Sequence, residues 1–236
     1  MKRDKVSEDI SGGILIINKS KGVTSHDVVA AVRKIGGYKK VGHAGTLDPN
    51  ATGVLVLLIG RATKLSGRFT NQDKSYKALI ELGRETDSGD VDGKTVRKCD
   101  IPALNEKDIE GALSKFRGRI RQIPPMYSAK KVKGKRLYRL ARKGISIKRD
   151  PVEVEIKELE VVSYESPFLF LEVKCGKGTY IRQLATDIGN ELGSGAYLKE
   201  LERTAAGDFS IDNSLSFDDV LGMNKESINE NIIRIN

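Results

Sequence analysis

Six uninterrupted apolar residues, Val54-Leu55-Val56-Leu57-Leu58-Ile59, constrain the fold of this chain more than any other stretch. A run of that length reads as a buried strand, and it is far too short to span a bilayer. Directly before it, Gly42-His43-Ala44-Gly45-Thr46-Leu47-Asp48-Pro49-Asn50-Ala51-Thr52-Gly53 places one carboxylate and one imidazole in a loop of glycines, small residues and a proline. Loops beside rigid strands often carry catalytic side chains. Taken alone, Asp-Pro and Ala-Gly also mark plain turns, in which a carboxylate only caps or solvates the loop. The rest of the chain weighs the two readings.

Around this segment the pattern is one of strands with few helices. Gly13–Asn18 reads as a strand with a turn at Lys21-Gly22. Thr24 and Asp27 have capping-box spacing before a helix that Gly36-Gly37 stops. Lys74 to Leu82 alternates as a strand with Tyr76, Ala78, Ile80 and Leu82 on one face. A helix is expected over 105–117, with Asn105 as N-cap and Gly118 just past its end. Val152, Val154 and Ile156 alternate after Pro151, Phe168–Cys175 gives another strand, and a helix runs from about Tyr180 to Leu192-Gly193. No regular crossover helices separate the strands, which argues against a doubly wound parallel sheet. The expected class is α+β, a mixed and largely antiparallel sheet flanked by helices.

The 236 residues suit one large domain or two small ones. No leader shows a basic start, an apolar centre and a small-residue cleavage site, and the expected location is the cytoplasm. Cys99 and Cys175 stand far apart and outside any Cys-x-x-Cys pattern, so neither a disulfide framework nor a cysteine zinc site is expected. The net charge of +9 is unevenly spread. Gly111 to Arg149 holds fourteen Lys and Arg and no Asp or Glu, while the remainder is net acidic. Tyr127 and Tyr138 interleave with these cations in Met126-Tyr127-Ser128-Ala129-Lys130-Lys131-Val132-Lys133-Gly134-Lys135-Arg136-Leu137-Tyr138. A solvated basic face is the plain reading. Basic residues with aromatics between them also suit a phosphate backbone with accessible bases.

Several other motifs fail. The acidic stretch Gly83–Gly93, aligned as a calcium loop on Gly93, has Ser88 and Cys99 where carboxylates are needed. Gly176-Lys177-Gly178 lacks the third glycine of a dinucleotide fingerprint, since Ile181 stands there. Ser25-His26-Asp27 is no triad, because adjacent residues at a helix start point apart, and His26 is read as structural. Two histidines without a second ligand cluster speak against a catalytic metal. Lys177-Gly178-Thr179-Tyr180-Ile181-Arg182 leads from strand into helix, where backbone N–H groups and Arg182 could hold an anion. Its plain alternative is a simple connection with an exposed arginine.

Taken together, six motifs in order resemble the tRNA pseudouridine-55 synthases, the TruB-type pseudouridine synthase family, from about Gly13 to Phe209. They are Asn18-Lys19-x-x-Gly22-x-Thr24-Ser25, the Gly42–Gly53 loop, Lys74-x-Tyr76-x-Ala78, Pro124-Pro125-x-Tyr127-Ser128-Ala129-x-Lys131, Gly178-Thr179-Tyr180-Ile181-Arg182, and Leu201-x-Arg203-Thr204-x-x-Gly207-x-Phe209. The resemblance implies an isomerase that turns the T-loop uridine of tRNA (position 55) into pseudouridine by base flipping. It implies Asp48 as the nucleophile, Tyr76 stacked on the target base, and Arg182 keeping Asp48 ionised and oriented. Tyr180 and Leu201 would line the pocket, and His43 would fill the space of the flipped nucleotide. Lys19, Gly45, Thr46, Lys130, Lys131 and Arg136 are carried over as substrate-binding. No cofactor, metal, membrane or protein partner is implied, and the enzyme is expected to be a monomer acting on the T-stem-loop.

The expected organisation is a leader over 1–11, a catalytic domain over 12–210 with a basic RNA-clamping insertion at 118–150, and a tail over 211–236. That tail is too short for the small C-terminal RNA-binding domain typical of the family. Ser20 stands where the family usually has proline. Three rival readings are weaker: an RNA-guided synthase of the related branch, an RNA-folding protein without catalysis, and an acid hydrolase. The last lacks a second carboxylate in any comparable loop.

Overall fold

The computed structural model describes residues 12–235 apart from 129, 133 and 142, and for 131 and 136 the backbone only. The expected leader and the motif residues Ala129 and Lys133 lie outside the described residues. Two compact units are formed, Met1–Gln72 with Arg203–Asn236, and Asp73–Glu202.

In the first unit the strand Gly12–Lys19 pairs antiparallel along its whole length with Thr52–Gly60, from Gly12 opposite Gly60 to Lys19 opposite Gly53. Val41–His43 lies antiparallel along the other side of Thr52–Gly60. Leu215–Ser216 adds to Gly12–Lys19 in parallel, and Ile233–Arg234 adds antiparallel. Ile14, Ile16, Val54, Val56 and Leu58 share one core cluster with Phe69 and Ala206. The alternate residues Leu15, Ile17, Leu55 and Leu57 are equally buried. Both faces are covered, which is why the run is apolar at every position rather than at every second one. The helix Ser25–Gly36 starts with the expected capping box of Thr24 and Asp27, and it ends at Gly37 with a left-handed φ of 64°.

The second unit carries an antiparallel sheet in the order Lys74–Leu82, Phe168–Cys175, Val152–Glu165, Gly118–Gln122. Ala78, Ile80 and Leu82 join Leu169, Leu171 and Val173 in a core that the helices Glu106–Ser114 and Ile181–Glu191 complete with Ile109, Leu113, Leu184 and Ile188. Asn105 caps the first of these helices as expected, but the helix ends at Ser114 rather than at 117. The N–H groups of Lys115 and Phe116 close three-residue turns onto Ala112 and Leu113, and Arg117 turns its guanidinium to the Leu159 carbonyl and to Glu110. The chain thereby leaves the helix and enters the sheet at Gly118, whose φ is +80°. The basic insertion is more ordered than a loop. It holds a short hairpin, Lys131–Val132 against Lys135–Arg136, and a helical turn, Leu137–Ala141, anchored by fully buried Leu137. The whole is α+β, and among the described residues no helix is long and apolar enough to cross a membrane.

Candidate active site

In the first unit three of the sequence motifs meet around Asp48. Ser25 Oγ donates to the Leu47 carbonyl at 3.0 Å and accepts from the Leu47 N–H at 2.9 Å, fixing the residue before Asp48. The Pro49 carbonyl, just after it, accepts from the Gly22 N–H at 2.9 Å and from Lys19 Nζ at 3.2 Å. Lys19 is fully buried and spends its other donors on the carbonyls of Ser20 and Val23, each at 2.9 Å. The Ala51 N–H closes a turn onto the Asp48 carbonyl at 3.1 Å. The motif from Asn18 to Ser25 is therefore the cradle of the aspartate loop, and its Gly22, at φ +89°, brings its N–H to Pro49 through a backbone shape that favours glycine.

The third motif closes the loop from behind. Arg203, 1% exposed, donates Nε to the Val54 carbonyl at 2.7 Å and Nη2 to the Gly45 carbonyl at 3.1 Å. Gly53 is indispensable where it stands, because its φ is +98° and a Cβ there would fall 2.2 Å from the Arg203 carbonyl oxygen. Burial pushes the Lys19 pKa down to about 8, with the Arg203 charge adding to the fall and the Asp48 carboxylate opposing it. His43 is also held below its ordinary pKa, first by burial and then by the charges of Arg203 and His26. Its Nδ1 is buried without a hydrogen-bond partner among the described residues. A neutral imidazole follows near pH 7. Asp48 and Gly45 are half-buried and Thr46 is exposed.

The second unit carries the other expected residues. Tyr76 lies on the strand Lys74–Leu82, and both it and Leu201 are partly buried against the core. Tyr180 is the N-cap of the helix Ile181–Glu191. Arg182 is buried rather than exposed. It donates to Asp90 Oδ2 at 3.2 Å, to the Ser88 carbonyl at 3.3 Å and to the Tyr127 carbonyl at 2.7 Å. Asp90 is oriented in turn by Ser88 Oγ at 2.5 Å and by the Asp92 N–H at 3.2 Å. The plain reading of Arg182 as a solvent-facing residue is thus corrected: a buried guanidinium needs acceptors, and Ser88, Asp90 and Tyr127 supply them. Lys130 is half-buried. The side chains of Lys131 and Arg136 lie outside the described residues.

Sequence reasoning misses three supports. Ser25 and Arg203 stand in recognised motifs but carry no role there, and Asp90 reads only as part of a failed calcium loop. The available signal is a serine directly after the capping threonine, and a lone arginine in the strand Ala196–Ala206. Asp90 has none. Among the described residues no group of three or more His, Cys, Asp or Glu is placed to hold a metal ion.

Comparison with known proteins agrees with the motifs. Residues 33–181 match the model of the TruB family pseudouridylate synthase N-terminal domain, and residues 182–234 match that of the tRNA pseudouridylate synthase B C-terminal domain. The tRNA pseudouridine synthase B of Clostridium tetani is 47% identical over 221 residues, which is 94% of this chain and 75% of that protein. The protein of the same name from Chlamydia felis is 49% identical over 209 residues, 88% of each chain. Among solved structures, a Cbf5-Nop10-Gar1 complex is similar with a TM-score of 0.73 and 29% identity over 95% of this chain and 60% of that one. An H/ACA RNP bound to a substrate RNA containing 2'-deoxyuridine gives 0.67 and 28% over 90% and 53%. The chain belongs to the TruB family of pseudouridylate synthases.

Proposed function

We propose that this protein is a stand-alone tRNA pseudouridine synthase that isomerises the T-loop uridine at position 55. The observation that carries the reading is the 47% identity, across nearly the whole chain, to a relative named tRNA pseudouridine synthase B. In the proposed reaction the N1–C1′ glycosidic bond breaks, the detached base rotates, and a C5–C1′ bond forms between the same fragments. The proton of C5 leaves to solvent and N1 gains one, so no redox partner or second substrate is consumed. Asp48 is the nucleophile, Tyr76 stacks on the base, and Arg182 favours the ionised carboxylate by opposite charge. Tyr180 and Leu201 line the pocket, and neutral His43 occupies the space of the extruded nucleotide. Lys130, Lys131 and Arg136, within the insertion over 118–150, contact the phosphates of the stem-loop. The enzyme works in the cytoplasm as a monomer, with tRNA as its partner and no cofactor.

The cradle supports the role of Asp48, since a nucleophile flanked on both sides by fixed residues meets its target in one geometry. The test is tritium release from a tRNA transcript labelled at uridine C5, with no cofactor or partner added. Wild type releases tritium, Asp48→Asn does not while still binding the tRNA, and a transcript with cytidine at position 55 gives none. Turnover by Asp48→Asn removes Asp48 from its role. Tight binding without release by wild type would favour a guided or purely RNA-folding protein instead.

A further inference from the structure

Gln122 occupies a place that the assigned roles do not explain. It is the last residue of the strand Gly118–Gln122, held in the sheet opposite Val152, and it is 0% exposed. Both polar atoms of its amide go to one residue. Its Oε1 accepts from the Tyr180 N–H at 3.1 Å, and its Nε2 reaches the Tyr180 carbonyl at 3.4 Å. Tyr180 begins the helix Ile181–Glu191 with no side chain of its own capping it. Its carbonyl also accepts the first helical bond, from Leu184 N–H at 3.0 Å. A buried amide on a rigid strand end thus sets where this helix starts. Five residues beyond Gln122, the Tyr127 carbonyl takes a bond from Arg182 Nη2 at 2.7 Å. The short stretch leading into the basic insertion therefore grips the Tyr180–Arg182 segment at two points.

We infer that Gln122 is a positioning residue for the isomerisation: it holds Tyr180, and through the helix start Arg182, in register with the root of the insertion. The inference rests on the proposed function. A shift of about 1 Å in a positioned group costs on the order of a hundredfold in rate, so losing the amide should slow the chemical step and spare binding.

Two variants of nearly equal size separate positioning from packing. Gln122→Met keeps the volume and removes both hydrogen bonds. Gln122→Glu keeps an oxygen that accepts from the Tyr180 N–H. The assay is the single-turnover rate on tRNA with saturating enzyme, per folded protein by circular dichroism, alongside the Kd for tRNA. Positioning predicts that Gln122→Met loses about tenfold or more in rate with its Kd within about threefold of wild type. It also predicts that Gln122→Glu retains most of the rate. A purely packing role reverses the order, since an apolar replacement is benign in a core and a buried carboxyl is not. Gln122→Met turning over at the wild-type rate, losing only tRNA affinity, or failing to fold would each overturn the inference. Wild type without turnover would take the proposed function down with it, whereas active wild type with equally active Gln122→Met refutes this inference alone.

Discussion

Replacing Lys19 by methionine tests the cradle quantitatively. Lys19 donates to three carbonyls, Ser20, Val23 and Pro49, and is fully buried, so its ammonium forfeits hydration that the unfolded chain would give it. Its pKa falls from 10.5 to about 8, chiefly by burial. Below about pH 8 both folded and unfolded states hold the proton, and the stability difference between wild type and Lys19→Met is flat. From about pH 8 to 10.5 the unfolded chain still binds the proton and the fold does not. Wild type must then gain stability over the variant as pH rises, by about 1.4 kcal/mol per unit and about 3 kcal/mol across the window. Urea unfolding of both proteins at several pH values reads this directly, and subtracting the two curves removes every other titrating group. A difference that stays flat to pH 10.5, or that falls, would refute the reasoning. The same variant should turn over more slowly at every pH, because the Pro49 carbonyl beside Asp48 loses one of its two donors.

Asp90→Ala removes both the hydrogen bond that Arg182 donates at 3.2 Å and its counter-charge. A hydrogen bond to a charged group is worth about 1.5–3 kcal/mol, so the single-turnover rate is expected to fall roughly tenfold to a hundredfold with little change in tRNA affinity; wild-type rates would remove Asp90 from the site. Charge reversal of Lys130, Lys131, Lys133 and Arg136 should weaken tRNA binding and flatten the slope of log K against log salt by about 0.7–0.9 for each phosphate that is no longer neutralised, and an unchanged slope would exclude these residues from the interface.

What the sequence disclosed, and what it hid, follows the range of the interactions concerned. The strand Phe168–Cys175, the capping box at Thr24 and the N-cap Asn105 rest on neighbouring residues, so alternation and spacing reveal them. The helix expected to reach 117 stops at Ser114 because Arg117 bonds a carbonyl 42 residues further on, which no local pattern encodes. The site divides in the same way. Motif resemblance points to Asp48, but the supports of its loop come from Ser25, 22 residues from Leu47, and from Arg203, 149 residues from Val54. Asp90 looks like part of a failed calcium loop because its partner, Arg182, lies 92 residues away.

The supports of Asp48 also explain a choice of chemistry. Lys19 and Arg203 are buried cations whose hydrogen bonds go to neutral carbonyls: Ser20, Val23 and Pro49 for one, Val54 and Gly45 for the other. A carbonyl satisfies the donor but does not cancel the charge, so both cations keep their field. The Lys19 pKa registers that field, since the nearby carboxylate that raises it is Asp48 and the nearby charge that lowers it is Arg203. By reciprocity the ammonium favours the ionised form of Asp48. Two salt bridges to extra carboxylates would have held the loop as firmly, yet would have erased this bias and crowded Asp48 with like charge. Building the cradle from cations on backbone oxygens fixes the position of the aspartate loop and leaves the Lys19 charge free to attract the Asp48 carboxylate.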